Sequence, residues 1–457
     1  MSLLVQRIVA FFTAFTAFIS GYFGTGEYYQ IPGFGAERIS MECLYDEYDL
    51  PEFTYGVEKG CYESSDGTLI GKFTSADEFA FERYFELLLK NGFTVYDRNT
   101  IESNRFATLV NDNTAVYLSW YKNTRTIRII AEPRHELCPL TDSTDGEYDT
   151  LLTSMQGETV VSWEGMGFII RLCDGSFVII DGGMGDPESV DSDKLMNILL
   201  SQKADTDEKP VIAAWIFTHM HGDHIGVFGC FSIDHHDDVV IQRMYFNFPK
   251  DEEILASDSS YMLDDTIYRG TQFRKCLTEY YPEVPVVKLH SGNHFAVRNA
   301  EFEVLYAYDD LYPTNIVDGG MNENSLLLKM TCEGQTVLWT GDLGPNSTEL
   351  VMSEYHDELQ SDILQMAHHG INGSALFYAR VNPTYALLPA SDSGYAALML
   401  ALPQNVALAA NPNLRQIIST SAGTYTMRLP YEKEVPLSER IPTSKTVNPE
   451  YPILLND

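Results

Sequence analysis

The run Thr218-His219-Met220-His221-Gly222-Asp223-His224 places four potential metal ligands within six residues, in the order His-x-His-x-Asp-His. The apolar stretch from Val211 to Phe217 leads directly into it. Such a stretch reads as a short strand buried on both faces, so the ligands begin where a strand stops. His219 and His221 are two apart, and in extended chain they point the same way and can share one ion. Asp223 and His224 follow Gly222, where a turn lets them face a second ion. Imidazole and carboxylate together suit zinc, and also manganese or iron. A His-rich surface loop would need no strand in front of it.

Three further segments repeat the arrangement of an apolar run ending in a potential ligand. Ser176 to Ile180 runs into Asp181-Gly182-Gly183, Thr336 to Gly341 runs into Asp342, and Asp362 to Ala367 runs into His368-His369-Gly370. Active groups at the carboxyl ends of strands are the general habit of layered α/β folds. Each motif is weak alone, and their order along the chain makes them specific.

With these residues in place the sequence resembles the metallo-β-lactamase superfamily, and within it the hydrolase domain of the competence-type (ComEC-like) DNA-uptake proteins. The matching residues are Asp181, the 219–224 cluster, Asn324-Ser325, Gly341-Asp342 and His368-His369-Gly370, spanning roughly Val160 to Pro389, about half of the chain. The resemblance implies an α/β (α+β) fold class, an αββα sandwich, with a dinuclear site. His219 and His221 would bind one ion, and Asp223 and His224 the other. Asp342 would bridge them. His368, the first of its pair after the strand, would complete the second ion. Asp181 and His369 would orient the ligands from behind. Two divalent ions, zinc first and manganese or iron as alternatives, are the implied cofactors.

Two departures qualify the match. The superfamily usually carries a further histidine between the main cluster and the bridging aspartate. Here His290 and His294 are both present, and His290 directly follows the apolar run Val284 to Leu289, which makes it the preferred extra ligand. After the histidine pair, Ile371-Asn372-Gly373-Ser374 stands where the competence proteins place serine directly, so their substrate does not transfer.

Charge bears on the substrate. The formal net charge is −35, from 30 Lys and Arg against 65 Asp and Glu. A chain this acidic repels polyanions at long range, which counts against non-specific nucleic-acid binding. A small phosphorylated or ester substrate stays open, because metal ions dominate a local field. The seven cysteines form no C-x-x-C pair, and their odd number argues against a complete disulfide framework. Cys173, Cys230 and Cys332 read as small buried apolar residues.

Along the chain, residues 1–24 contain an apolar segment, Ile8 to Phe23, preceded by Arg7. Its length suits an export signal or membrane anchor, and equally a buried or interfacial helix on an intracellular protein. Residues 40–135 read as a separate, smaller α+β domain. A capping box at Ser75-x-x-Glu78 opens a helix that stops at Asn91-Gly92, and strands follow at Arg105–Val110, Ala115–Trp120 and Thr126–Ala131. Pro133 to Asp149 reads as a linker. The hydrolase domain covers 150–430, with strands at Thr159–Trp163, Phe168–Leu172 and Phe177–Asp181. Helices are expected at Ser192–Lys203, Ser347–Tyr355 and Ala375–Val381, and a further strand at Tyr385–Leu388. Residues 431–457 read as an extended tail. The patch His235-His236-Asp237-Asp238 reads as solvated surface.

The expected chemistry is hydrolysis of a phosphodiester or related ester by water activated between two ions, with Asp223 and Asp342 as the catalytic carboxylates. The alternatives are a lactone or thioester hydrolase, a di-iron redox protein, and a non-catalytic metal-binding module.

Overall fold

A computed structural model describes residues 37–434, leaving out 65, 158, 161–162, 186–189, 250–262, 312–319 and 391. The apolar segment Ile8 to Phe23 and the tail from 435 onward lie outside the described residues. Among those described, no helix is long and apolar enough to cross a membrane.

The amino-terminal part is a seven-stranded antiparallel sheet. Its order across the sheet is Glu37–Ile39, Val57–Glu63, Leu69–Thr74, Thr126–Pro133, Thr114–Tyr121, Asn104–Val110, Thr94–Ile101. The strand Thr114–Tyr121 is buried along its whole length, and its alternation sorts two cores. Val116, Leu118 and Trp120 face the helices Met41–Glu47 and Glu78–Lys90, with Leu44, Phe81, Tyr84 and Leu88. Ala115 and Tyr117 face the other way and join the core of the carboxyl-terminal sandwich. The sheet therefore has a core of its own on one face and is docked on the sandwich by the other. The helix Glu78–Lys90 is capped by Asp77, whose Oδ1 accepts from Ala80 N at 3.0 Å, and not by Ser75. Ser75 itself is left-handed, at φ +57°, which is incompatible with the extended backbone of a cap.

Residues 151–428 form two facing sheets. The first runs Val286–Lys288, Met244–Phe246, Val211–Ile216, Phe177–Asp181, Gly167–Arg171, Leu151–Ser154, Tyr425–Arg428. The second runs His294–Val297, Ala300–Tyr306, Leu327–Cys332, Gln335–Trp339, Ile363–Gln365, Tyr385–Leu388, Gln416–Ser419. Inward side chains such as Phe168, Ile180, Ile216, Phe302, Met330 and Trp339 fill the space between the sheets. The Phe168 and Trp339 rings sit 4.8 Å apart. Burying each side chain of this kind contributes about 1.5–3 kcal/mol.

The outer faces are covered by helices. Asp191–Gln202, Gly222–His235 and Leu263–Tyr280 set Leu199, Phe228 and Phe273 against Trp215 and Phe217 of the first sheet. Pro345–Glu354, Ala375–Val381, Ser393–Leu400 and Pro403–Ala409 set Val351, Phe377, Met399 and Leu408 against Leu338, Leu364 and Leu388 of the second. The order of layers is αββα. The helices Asp191–Gln202, Pro345–Glu354 and Ala375–Val381 and the strands Phe177–Asp181 and Tyr385–Leu388 fall within two residues of their expected bounds. The last strand, Tyr425–Arg428, crosses back to pair with Leu151–Ser154, a long-range pairing with no local signal.

Candidate metal centre

Four strands deliver the site. Phe177–Asp181 and Val211–Ile216 are parallel neighbours in the first sheet, and Gln335–Trp339 and Ile363–Gln365 are parallel neighbours in the second. All four end at the same edge of the sandwich, so their following residues converge. The main cluster turns from strand into helix: His221 is the extended residue before the helix Gly222–His235, and Asp223 lies in its first turn, where the helix dipole favours a carboxylate.

Two donor groups result. Asp223, His224, Asp342 and His369 form one, and His219, His221 and Asp342 form the other, with the donor atoms of each group all within 4.8 Å of one another. Asp342 is common to both. It is positioned by Gly341, at φ +50°, where a Cβ would meet the Thr218 side chain at 2.9 Å. The Asp342 N–H donates to Ser325 Oγ at 3.0 Å, and the Asp342 carbonyl accepts from Asn372 Nδ2 at 3.0 Å.

The imidazoles are preset by what lies behind them. Asp181 is buried and left-handed at φ +56°, a conformation costing on the order of 1 kcal/mol. Its carboxylate accepts from Thr218 N and Thr218 Oγ1, each at 2.8 Å, and from His224 Nδ1 at 2.7 Å. Thr218 Oγ1 already donates its hydroxyl hydrogen bond to Asp181, so it accepts from His219 Nδ1 at 3.1 Å. His369 Nδ1 donates to the Pro389 carbonyl at 3.0 Å. With Nδ1 protonated in all three rings, Nε2 of His224 and of His369 faces a carboxylate, and Nε2 of His219 accepts from His221 Nδ1 at 3.0 Å, so all three point into the same space. Asp181 thus lies behind both His224 and Thr218, out of reach of the donor groups' shared space.

These residues fit a bound metal. His224 Nε2, His369 Nε2 and both carboxylate oxygens of Asp342 are buried without a well-aligned hydrogen bond; His224 Nε2 faces Asp342 Oδ1 at 3.2 Å and His369 Nε2 faces Asp223 Oδ2 at 3.3 Å, a set of inward donors that one cation can satisfy together. The charge balance agrees. Burial pushes His219 well below the usual imidazole pKa, and the neighbouring His224 adds to this. Burial opposes charge on His224 too, but Asp342 and Asp181 outweigh it and hold its pKa well up. Burial would raise Asp342, yet His224, His368 and His369 hold it well below the carboxylate range. Protons on His224 and His369 stand where a cation would be, so metal uptake should release protons.

Two assignments change. His369, not His368, joins the donor group. Both are left-handed, at φ +51° and +52°, and this tight turn swings the second histidine inward. The His368 N–H is tied to the Gly341 carbonyl at 3.1 Å, and its ring faces Asn322 Nδ2 at 3.3 Å, with Nε2 3.6 Å from Asp342. Replacing His369 with alanine should remove about one equivalent of bound metal, while replacing His368 should leave the stoichiometry intact. Metal analysis of the two variants checks this, and equal losses would reverse the order.

His290 lies outside both groups. Its strand Val286–Lys288 is the edge strand, two places from Val211–Ile216 and so about 10 Å to the side. Both ring nitrogens are taken: Nδ1 pairs with Asp309 at 2.5 Å and Nε2 with Glu132 at 3.3 Å. His294 pairs with Asp97 at 2.9 Å. In the His235-to-Asp238 patch the two aspartates are exposed, whereas His235 and His236 are half-buried and His235 Nε2 pairs with Asp193 at 3.0 Å. Sequence reasoning missed Thr218, Asn322 and Asn372 as supports, although each sits within three residues of a ligand motif.

Asp342 comes from the second sheet to meet histidines of the first, across an αββα sandwich and at the carboxyl ends of its strands. The architecture is the αββα sandwich that the resemblance to the metallo-β-lactamase superfamily implied. A segment of 84 residues, 18% of the chain, is 37% identical to the competence protein ComA of Neisseria gonorrhoeae and spans 11% of that protein's own length. No family model matches the chain. Similar solved structures include the metallo-β-lactamase fold protein YhfI of Bacillus subtilis, with 12% identity, a TM-score of 0.37, and 61% of this chain and 100% of that one covered. Unliganded yeast PDE1 is similar at 12% identity and a TM-score of 0.37, with 62% and 100% covered.

Proposed function

We propose that this metallo-β-lactamase-fold chain is a metal-dependent hydrolase that cleaves a small phosphodiester or related ester. The reading rests on one observation: two donor groups of histidine and aspartate converge on the buried Asp342, which they share. His219, His221 and Asp342 would hold one divalent cation, and Asp223, His224, Asp342 and His369 the other, zinc being the first candidate. Such a pair supplies Lewis acidity and lowers the pKa of water. Asp342 keeps the two groups in register. Asp181 and Thr218 fix the histidine tautomers. Asp223, whose Oδ2 lies 3.3 Å from His369 Nε2, would orient the attacking water. The net charge of −35 supports a small substrate over a polynucleotide.

Metal analysis of the purified chain, paired with a substrate panel, tests this. Two zinc or manganese ions with turnover of bis-p-nitrophenyl phosphate are expected. Turnover of lactones or thioesters alone would move the substrate class. Bound iron with oxygen consumption would replace hydrolysis by redox chemistry. A chain inactive after metal loading would make the centre a binding module.

A further inference from the structure

We infer that the amino-terminal sheet is a positioning domain for the metal centre, acting on Asp342 through the helix Pro345–Glu354. The inference rests on Asp342 being the shared ligand of that centre. The helix has ten residues, about 15 Å in length, and begins three residues after Asp342. A helix end leaves backbone groups without partners inside the helix, and this one has no side-chain cap of its own. Both ends are instead closed by other parts of the molecule.

At the near end the buried Glu323 accepts from Asn346 N at 3.1 Å and from Ser347 N and Ser347 Oγ, each at 2.7 Å. Glu323 stands between Asn322, which faces His368, and Asn324-Ser325, whose serine accepts the Asp342 N–H. One short turn thus touches the histidine loop, the shared aspartate and the helix that follows it.

At the far end the amino-terminal sheet closes the helix together with Arg380 of the sandwich, whose Nη1 donates to the Met352 and Tyr355 carbonyls at 2.6 and 3.0 Å. The Glu354 carbonyl accepts from Asn104 Nδ2 at 3.1 Å and Asn123 Nδ2 at 3.5 Å. Asn104 is fully buried, and its own Oδ1 accepts from Lys122 N at 3.0 Å, so the amide has one orientation. Just beyond, Glu102 accepts from His356 N at 2.8 Å. The Tyr121 and Tyr355 rings meet edge to face, 6.3 Å apart, across the same boundary. A rigid rod gripped by the sheet at one end and running almost to Asp342 at the other carries the position of the sheet to the metal centre.

The test uses the full chain and cobalt(II) as the probe. Asn104→Ala removes the far-end donor. It should weaken cobalt affinity about tenfold, the lower end of the effect of removing groups that orient ligands, and alter the visible spectrum of the bound ion. Glu102→Ala, at the exposed rim and tolerable to the fold, should shift both in the same direction by less, and decides the matter if the first variant does not fold. Leu88→Ala, in the far core of the same domain, should lower the melting temperature yet leave affinity and spectrum as in the wild type. Wild-type affinity and spectrum in the Asn104 and Glu102 variants, or an equal shift in Leu88→Ala, would overturn the positioning role alone. A wild-type chain that binds no cobalt would overturn the metal centre itself and this role with it.

Discussion

Asp342→Ala should lose both metal retention and turnover, because the one residue shared by the two donor groups is removed. Loss of either flanking histidine would spare one group, whereas loss of Asp342 spares neither. The thermodynamic signature is as sharp as the kinetic one. A ligand that binds only the folded state stabilises it by about 2.7 kcal/mol at a hundredfold excess over its dissociation constant. Zinc should therefore raise the melting temperature of the wild-type chain and leave that of the variant almost unmoved. Calorimetry with and without metal checks this, and activity on bis-p-nitrophenyl phosphate should fall to background in parallel. Full turnover in the variant would end the bridging assignment.

His290→Ala should destabilise the chain by about 3–5 kcal/mol, with no loss of metal stoichiometry. The imidazole is fully buried between Asp309 of the sandwich and Glu132 of the amino-terminal sheet. Its removal leaves two buried carboxylates facing the gap, of which Glu132 keeps Lys288 at 2.9 Å. The pH dependence has a definite sign. Burial would lower the His290 pKa, but Asp309 and Glu132 outweigh it and raise it to about 9. A raised imidazole pKa contributes stability that is complete below its unfolded value, near 6.5, and is lost as pH rises through about 9. The wild type should thus lose about 3 kcal/mol over that window relative to its acidic plateau, and His290→Gln should lack this component. Urea unfolding of both proteins between pH 6 and 10 measures it. Parallel profiles for the two would show that the histidine is not charged in the folded state.

His290 also marks where local reading ends. It follows an apolar run just as His219 and Asp342 do, and nothing in the run states that its strand lies at the sheet edge. Strand order is set by long-range pairing, and two strand spacings turned a ligand position into a domain-interface ion pair. The choice between His368 and His369 failed for a different reason. Two consecutive left-handed residues reverse the chain there, braced by Asn405 Nδ2 donating to the Gly370 carbonyl at 2.6 Å from a helix 35 residues further on. The missed supports Thr218, Asn322 and Asn372 matter through hydrogen bonds, which carry no periodicity.

What the sequence alone determined was the set of strand-end motifs, and through them the layered fold and most of the donor atoms. Short buried strands and the turns after them are local, and their apolar runs and ligand types are visible in a window of ten residues. Only the tertiary structure decided which strands are neighbours, which histidine of a pair faces inward, and that the amino-terminal sheet is docked on the sandwich. Those outcomes depend on contacts between residues far apart in the chain, such as Glu102 with His356, 254 positions on, and no local pattern encodes them.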